Sequence, residues 1–167
     1  MRRFWSRIDT PFQPMAAWVD DAGRLRRFHL RAAGAEHVDS GAEYAPTRLV
    51  EVQRQVTDYA EGRRRDFDLQ LAPEGPEFEM SVWRALRAIP FGATTSYGAV
   101  AKAIGQPGAA RAVGAANNAN PIALIIPCHR VIGADGQLVG YGGGLALKRA
   151  LLEHEARVCG TRYDLFG

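Results

Sequence analysis

The feature that most constrains the fold of this chain is an uninterrupted apolar run that ends at a cysteine and a histidine. Residues 122–126 (Ile-Ala-Leu-Ile-Ile) lie between two prolines, and Cys128-His129 follows the second proline directly. A short apolar run closed by proline predicts a buried segment that stops abruptly. A thiol beside an imidazole is also the pair that forms a thiolate nucleophile near neutral pH. On this stretch alone an inert core cysteine is the better interpretation, because free cysteines are among the most buried residues.

The composition is that of an ordinary soluble globular protein. The chain has 167 residues, enough for one domain or two small ones, with 47% hydrophobic and 23% charged residues. No apolar run approaches the roughly 18 residues that a membrane span needs, and the basic N-terminus lacks the apolar core of a signal peptide. Two cysteines, Cys128 and Cys159, are too few for a disulfide framework. We therefore expect a cytoplasmic protein with no membrane partner.

Charge is distributed unevenly along the chain. Residues 1–76 hold 12 basic and 12 acidic residues, whereas residues 80–150 hold seven basic residues and one acidic residue. This local excess of +6 favours a polyanionic partner for the second half of the chain. A solvated basic surface without a ligand is the alternative that charge alone leaves open.

The first part of the chain predicts a small α/β domain over residues 1–72. Two strands, 15–19 and 25–30, flank a turn sequence and predict a hairpin. Apolar residues at helical spacing predict a helix from Leu49 to Tyr59. Alternating residues over 67–71 predict a half-buried strand. Residues 73–76, rich in proline and glycine, then predict a linker.

Residues 77–167 predict a mainly helical second domain. One apolar face predicts a helix from Phe78 to Ile89, which Pro90-Phe91-Gly92 ends. Ser96 can cap a second helix over 97–104, and a third covers about 109–118. Two short helices with a glycine-containing turn indicate a helix-turn-helix, although plain α-hairpins share the spacing. The last clear helix runs from 145 to about 156.

The third of these helices has one face with almost no side-chain bulk. We expect Ala109, Ala112, Val113 and Ala116 to pack on the neighbouring helix. The opposite face holds Ala110, Arg111, Gly114, Ala115 and Asn118. A mid-helix glycine costs about 1 kcal/mol relative to alanine, so the glycine suggests that something approaches the backbone closely. In a basic domain this face favours a nucleic-acid groove, and tight helix packing is the alternative.

A glycine-rich loop and a carboxylate in an unfavourable position are two further candidate functional features. The loop 141–144 is Tyr-Gly-Gly-Gly, so its only bulky side chain is a phenol. Glu155 lies near the apolar stripe of the last helix, at the end where the helix dipole disfavours a negative charge. A carboxylate there needs a cationic or hydrogen-bonding partner. Arg149 or Arg157 would be a structural partner, and His129 would be a functional one.

Taken together these motifs resemble the O6-alkylguanine-DNA alkyltransferase (methylated-DNA–protein-cysteine methyltransferase) family. The similarity covers about Phe78 to Glu155 and is most specific at 127–131, Pro-Cys-His-Arg-Val, with Asn120-Pro121 before it and Tyr141 and Gly143 after it. The sequences Ser96-Tyr97 and Arg111-Ala-Val-Gly114 occur in the expected order. The resemblance implies an α+β protein with a ribonuclease-H-like N-terminal domain and a C-terminal domain carrying a winged helix-turn-helix.

The resemblance also implies direct reversal of DNA damage in a single turnover. The alkyl group of O6-alkylguanine, and less readily of O4-alkylthymine, would pass to Cys128. His129, linked to the thiol by a water, would act as base, and Glu155 would orient it. The partner would be double-stranded DNA bound by a monomer, with cooperative binding left open, and no cofactor is implied.

The remaining roles follow from the same resemblance. Arg111 would enter the base stack in place of a flipped nucleotide, while Tyr97 would press on the neighbouring phosphate and hydrogen-bond the lesion base. The bare face of the third helix, with Ala110, Gly114 and Ala115, would meet the DNA. The substrate pocket and the loops around it would be formed by Tyr97, Asn120, Val131, Tyr141, Gly142, Gly143 and Lys148.

The sequence departs from some family members at a few positions. No cysteine precedes residue 128, and His29 and His37 lack a ligand set, so we expect no metal where some relatives bind zinc. Ala123 replaces a second proline and Gly142 replaces a serine found in some members. Two other functions are weighed against the transferase: a non-catalytic helix-turn-helix sensor of alkylated DNA, and a cysteine hydrolase.

Overall fold

The computed structural model describes residues 1–161 and divides into two compact units. The first contains Met1–Glu74 together with Pro121–Ile125, and the second contains Gly75–Asn120 and the chain from Ile126 onward. The return of 121–125 to the first unit is a feature that the sequence analysis did not predict. Residues 162–167 of the predicted second domain lie outside the described residues. No helix within residues 1–161 has both the length and the apolar character that crossing a bilayer requires.

The first unit is built on a four-stranded sheet. Its strands are β1 (Arg3–Ile8), β2 (Met15–Asp20), β3 (Leu25–His29) and β4 (Glu43–Tyr44), in the order β3-β2-β1-β4. β1 and β3 are antiparallel to β2, and β4 is parallel to β1. All six residues of β2 are buried, as expected for a central strand. Helix α1 (Val50–Ala60) follows the sheet.

The predicted β2–β3 hairpin and the predicted helix at Leu49 to Tyr59 are both confirmed. Asp20 closes the hairpin turn, because its carboxylate accepts hydrogen bonds from the backbone amides of Ala22 and Arg24, each at 3.0 Å. This is the side-chain-to-backbone bonding that favours aspartate in turns.

The strand predicted over 67–71 is wrong. Only Leu71 bridges to a strand, at Leu25 of β3. The backbone of Asp68 is bonded instead by the buried side chain of Gln55, whose amide accepts from the Asp68 N–H at 2.8 Å and donates to its carbonyl at 2.9 Å. A side chain thus satisfies the polar backbone groups that a neighbouring strand would otherwise pair. The alternation of exposed and half-buried residues that prompted the prediction is present all the same.

The second unit is mainly helical, so the α+β class expected from the sequence is confirmed. It contains α2 (Glu77–Arg87), α3 (Tyr97–Ala103), α4 (Ala110–Asn118) and α5 (Leu145–Val158). Two short parallel strands, β5 (Thr95–Ser96) and β6 (Val131–Ile132), form a second sheet. A 3-10 turn over Cys128–Arg130 leads directly into β6.

Local signals in the sequence explain these helix limits. The Ser96 hydroxyl caps α3 by accepting from the amide of Ala99 at 3.1 Å, as predicted. Gly92, after the end of α2, has φ 83°, a left-handed conformation that favours glycine. In α2 the indole N–H of the buried Trp83 donates to the Ala116 carbonyl of α4 at 2.9 Å. The helices of the second unit are therefore joined by a directional contact as well as by apolar packing.

Burial predicts that two matched leucine substitutions in this unit differ in their effect on the free energy of unfolding. Leu86 of α2 is fully buried, whereas Leu145 at the start of α5 is 48% exposed. We expect Leu86→Ala to lower the free energy of unfolding by about 3 kcal/mol through lost burial and a residual cavity. Leu145→Ala should change it by about 0.5 kcal/mol or less. Urea denaturation followed by circular dichroism measures both, and equal losses would contradict this account of the core.

Candidate active site

The apolar run that precedes Cys128 is buried and conformationally strained. Ile122 bridges to Phe28 of β3, and Leu124 is 1% exposed with φ 71°, the only left-handed non-glycine residue among those described. A bulky residue held in this conformation costs energy that the surrounding packing must offset, and such positions cluster at functional sites. The chain then turns sharply at Pro127, where the amide of Cys128 donates to the Ile126 carbonyl at 2.7 Å. The predicted abrupt stop is confirmed.

Cys128 and His129 are brought into the interior of the second unit by the 3-10 turn. Cys128 is 4% exposed and His129 is fully buried. The imidazole Nε2 lies 2.6 Å from Oε2 of Glu155, which is also fully buried. Glu155 is therefore paired with His129, the partner that the sequence analysis considered functional. Neither structural partner is used, because Arg149 pairs with Glu153 at 2.8 Å and Arg157 is exposed.

Glu155 has further partners that the sequence analysis did not assign. The guanidinium of Arg130 donates from Nε to Oε1 at 2.8 Å and from Nη2 to Oε2 at 3.2 Å. The backbone amide of Gly92 donates to Oε1 at 3.1 Å. In the sequence, the one indication that Arg130 could contact Glu155 was that it directly follows His129. The contribution of Gly92 comes from its backbone, for which no residue pattern gives a signal.

The electrostatics of the pair favour an ionised carboxylate beside a neutral imidazole. Burial lowers the pKa of His129 below its ordinary value, and this outweighs the opposing effect of Glu155. Burial alone would raise the pKa of Glu155, but His129 and Arg130 outweigh burial and hold that pKa well below its ordinary range. An ionised carboxylate can only accept, so the neutral imidazole carries its proton on Nε2.

The other imidazole nitrogen is therefore the basic one. His129 Nδ1 is buried, and no group among residues 1–161 hydrogen-bonds to it. In a neutral ring protonated at Nε2, this atom holds the free lone pair. It can accept a proton, directly or through a water, from an adjacent thiol.

Three further predicted site residues interact electrostatically with Cys128. Burial raises the pKa values of Tyr97 and Tyr141, and a negative charge on Cys128 raises them further. Burial lowers the pKa of Lys148 to about 8, against the opposing effect of Cys128.

The loop before α5 is attached to the site by two of these side chains. Lys148 is fully buried, and its Nζ donates to the carbonyl of Val139 at 2.9 Å while lying 5.9 Å from the centroid of the Tyr141 ring. The Tyr97 hydroxyl donates to the same carbonyl at 3.3 Å. Gly143 is buried, whereas Gly142 is exposed and has open space where a side chain would begin.

Amide side chains fix the backbone on either side of Cys128. Asn120 donates from Nδ2 to the carbonyl of Ile126 at 2.8 Å, so it holds the segment that leads to the thiol. Asn117, which the sequence analysis placed on neither helix face, is buried and its Nδ2 lies 3.4 Å from the carbonyl of Cys128. Val131 is fully buried in β6, where it pairs with Thr95.

The helix pair α3–α4 presents the bare face that the sequence predicted, with one correction. Arg111 and Ala115 are exposed and Ala110 is half-buried. Ala112 is also exposed, so its assignment to the packing face is wrong: the buried residues of α4 are Val113, Ala116 and Asn117. Asn117 lies on the buried side of α4, where its side chain reaches the backbone of Cys128.

Gly114 faces the Tyr97 ring rather than open solvent. A Cβ added at this glycine would lie 3.8 Å from the nearest ring atom, an ordinary van der Waals distance. Packing inside the chain therefore tolerates alanine at this position and does not explain the glycine.

The two N-terminal histidines occupy separate surroundings. His29 packs on Trp18, with ring centroids 4.7 Å apart, and the exposed His37 lies beside Glu36. Among residues 1–161 no three His, Cys, Asp or Glu side chains form a group that could hold a metal ion.

The second unit therefore combines a helix-turn-helix with a buried cysteine, a neutral histidine and an orienting carboxylate. Residues 77–157 match the family described as 6-O-methylguanine DNA methyltransferase, DNA binding domain. A methylated-DNA–protein-cysteine methyltransferase of Methanosarcina acetivorans is 58% identical over 153 residues, which cover 91% of this chain and 97% of the relative.

Solved structures give the same result. The crystal structure of Mycobacterium tuberculosis OGT in complex with DNA superposes with a TM-score of 0.85 at 41% identity, covering 98% of this chain and 99% of that one. The O6-methylguanine methyltransferase of the same organism gives a TM-score of 0.78 at 40% identity, covering 98% and 97%. The chain belongs to the methylated-DNA–protein-cysteine methyltransferase family.

The buried ion pair predicts a pH-dependent stability that Glu155→Gln should remove. Because the folded-state pKa of Glu155 lies below its ordinary value of 4.5, its contribution is present above that pH and is lost as the pH falls. We expect Glu155→Gln to lower the free energy of unfolding by about 3 kcal/mol at pH 7.5, since Arg130 keeps a buried charge without its counter-ion. The loss should shrink below about pH 4.

Glu153→Gln is the matched control for this substitution. It makes the same change two residues earlier on α5, where the carboxylate is partly exposed and pairs with Arg149. Its effect at pH 7.5 should stay below about 1 kcal/mol. Urea denaturation of both variants from pH 3 to pH 8 provides the comparison, and a Glu155→Gln curve parallel to that of wild type would refute the prediction.

Proposed function

We propose that this chain carries out the direct-reversal DNA repair of its family, with Cys128 as the cysteine that accepts the alkyl group. The observation that carries this proposal is the buried Cys128 next to a neutral His129 whose Nδ1 is open and whose Nε2 is fixed by Glu155. The names of relatives that share most of their length with this chain support the same activity. The substrate is O6-alkylguanine in double-stranded DNA, with O4-alkylthymine a poorer one.

The proposed reaction is a displacement at the alkyl carbon. His129 takes the proton of the Cys128 thiol through a water, and the thiolate attacks the alkyl carbon. A carbon–sulfur bond forms while the bond from carbon to guanine O6 breaks, and the electron pair stays on the base. The base anion is then neutralised by a proton, which balances the proton that His129 took from the thiol, and Tyr97 hydrogen-bonds the lesion base. The product thioether is stable, so each molecule acts once.

Burial of the thiol requires the lesion base to leave the duplex. Cys128 is 4% exposed, so a stacked base cannot reach it. In the proposed complex α4 lies in the minor groove, and the exposed Arg111 fills the space left by the flipped nucleotide. The small side chains of Ala110 and Ala115 let the backbone of α4 approach the DNA, and Gly114, which lies beside the Tyr97 ring, adds no bulk to the helix.

The pocket residues have roles that their contacts support. Tyr97, Tyr141 and Val131 line the space for guanine, and Gly142 and Gly143 offer backbone groups. Asn120 and Lys148 hold the two surrounding segments through the carbonyls of Ile126 and Val139.

We place the protein in the cytoplasm as a monomer on DNA. Within residues 1–161 neither Cys128 nor Cys159 forms a disulfide, which suits a reducing compartment. Residues 1–72 form a separate N-terminal domain in this proposal, and residues 77–167 carry both the DNA contacts and the chemistry, with 73–76 as the linker.

Intact mass is the direct test of the transfer. After mixing with a duplex that contains one O6-methylguanine, wild type should gain one methyl group per molecule, mapped to Cys128 by peptide analysis. Cys128→Ala should gain none and should still bind the duplex, because the DNA contacts lie on other residues. Cys159→Ala, the matched control, should react like wild type. Binding without any adduct in wild type would favour the non-catalytic sensor, and repeated turnover on an ester or amide would favour a hydrolase.

Arg111→Ala should separate base flipping from chemistry. We expect at least a tenfold slower transfer from duplex DNA, since unstacking a base costs a few kcal/mol that the arginine helps to offset. Reaction with the free O6-methylguanine base should change by less than about twofold, because no flipping is needed. Lys102→Ala, which removes an exposed cation from α3, is the control for the loss of charge. Equal losses on duplex and free base would count against an arginine in the stack.

A further inference from the structure

Arg130 makes more contacts at the site than any role assigned so far requires. Arg130 is 6% exposed, and its Nε, Nη1 and Nη2 donate to three acceptor oxygens. Nε and Nη2 reach the two oxygens of Glu155, and Nη1 donates to the Ile89 carbonyl at 2.8 Å. The guanidinium carbon also lies 5.6 Å from the centroid of the Phe91 ring, within the range of a cation–π contact.

The Glu155 carboxylate is consequently held on both oxygens. Oε1 accepts from Arg130 Nε and the Gly92 amide, and Oε2 accepts from Arg130 Nη2 and His129 Nε2. The bidentate guanidinium fixes the plane of the carboxylate, which a single hydrogen bond to the imidazole leaves free to rotate. Only with that plane fixed does Oε2 point at Nε2 and keep the proton there.

The turn after α2 supplies the other half of this arrangement. The Ile89 carbonyl anchors Arg130, and the Gly92 amide reaches Oε1 from a left-handed backbone at φ 83°. The segment 89–92 thus does more than end a helix, because the Ile89 carbonyl is an acceptor for Arg130 and the Gly92 amide is a donor to Glu155.

We propose that Arg130 is a positioning residue of the alkyl transfer, holding Glu155, together with the Gly92 turn, in the orientation that keeps His129 Nδ1 available as the base. The inference rests on the proposed function, because it assigns Arg130 a part in that reaction. A purely structural ion pair is the competing interpretation, since a buried pair of this kind also stabilises the folded chain against loss of one partner.

The charges around His129 give the proposal a distinctive pH signature. Glu155 favours the imidazolium, Arg130 and Lys148 disfavour it, and burial disfavours it most. Cys128, Tyr97 and Tyr141 are further titratable groups at the site. Removing the Arg130 charge removes one effect that keeps the pKa of His129 low. The acid limb of the rate profile, where His129 gains a proton, should then move to higher pH.

Arg130→Met and Arg130→Lys test the proposal in single-turnover reactions on an O6-methylguanine duplex from pH 5 to pH 9. We expect Arg130→Met to slow transfer about 10- to 100-fold, the usual range for partners that orient a reactive ligand. The affinity for the duplex should stay within about twofold. Arg130→Lys keeps the positive charge but loses the bidentate guanidinium. Its acid limb should therefore stay near that of wild type, while its rate should lie between those of Arg130→Met and wild type.

Leu86→Ala is the control for general destabilisation, because it weakens the core of the same unit and none of the hydrogen bonds to Glu155 or Arg130 involves Leu86. If Arg130→Met slows transfer no more than Leu86→Ala does, or leaves the acid limb unmoved, the positioning role is wrong. Failure of wild type to transfer methyl would defeat the proposed function itself, whereas transfer by wild type with an unaffected Arg130→Met would defeat only the positioning role.

A second measurement applies even if Arg130→Met does not fold. The titration of His129, followed by NMR of the imidazole nitrogens in the full chain, needs no substrate. Wild type should show a neutral ring protonated at Nε2. Arg130→Lys should broaden or lose the Nε2 proton signal by loosening the carboxylate, and Leu86→Ala should not. An unchanged signal in Arg130→Lys would overturn the proposal.

Discussion

The Glu155 carboxylate is the group on which the rest of the site depends. It is fully buried and accepts from His129, Arg130 and Gly92. An unpaired carboxylate at this depth would neutralise itself or destabilise the fold. Because Glu155 lies on α5 and its partners come from the turn after α2 and from the 3-10 turn, satisfying this one charge joins three separate stretches of the second unit. The fold and the protonation state of His129 therefore have a common cause.

The strained run before Cys128 is the second constraint. Leu124 adopts a left-handed backbone inside a fully apolar segment, and Pro127 then ends that segment. Buried side chains on both sides of Leu124 hold it in place, with Ile122 and Ile126 each at most 1% exposed. Strong packing around a poor local conformation holds the backbone of this segment in one conformation.

Local signals in the sequence predicted most elements of the fold, but contacts between residues distant in sequence were missed. Periodicity and the Ser96 cap located the helices, because these effects act within one turn of the chain. Residues 67–71 have strand-like alternation, yet the distant side chain of Gln55 bonds their backbone instead. At the site, adjacency revealed Cys128 and His129, and helix position revealed Glu155. Arg130 and Asn117 acquire their contacts only when 89–92 and the carbonyl of Cys128 are brought to them.

Burial of Cys128 and the bare face of α4 address the same physical problem under the proposed function. A thiol activated by a neighbouring base would react with any small alkylating or oxidising agent if it were exposed. Keeping it 4% exposed limits such reactions, but it also excludes a base that remains stacked in a duplex. The substrate must then come to the thiol, which requires a helix that approaches the groove closely and carries one side chain able to fill the vacated space. Arg111, beside residues with little or no side chain, meets that requirement. Each feature would be a disadvantage without the other.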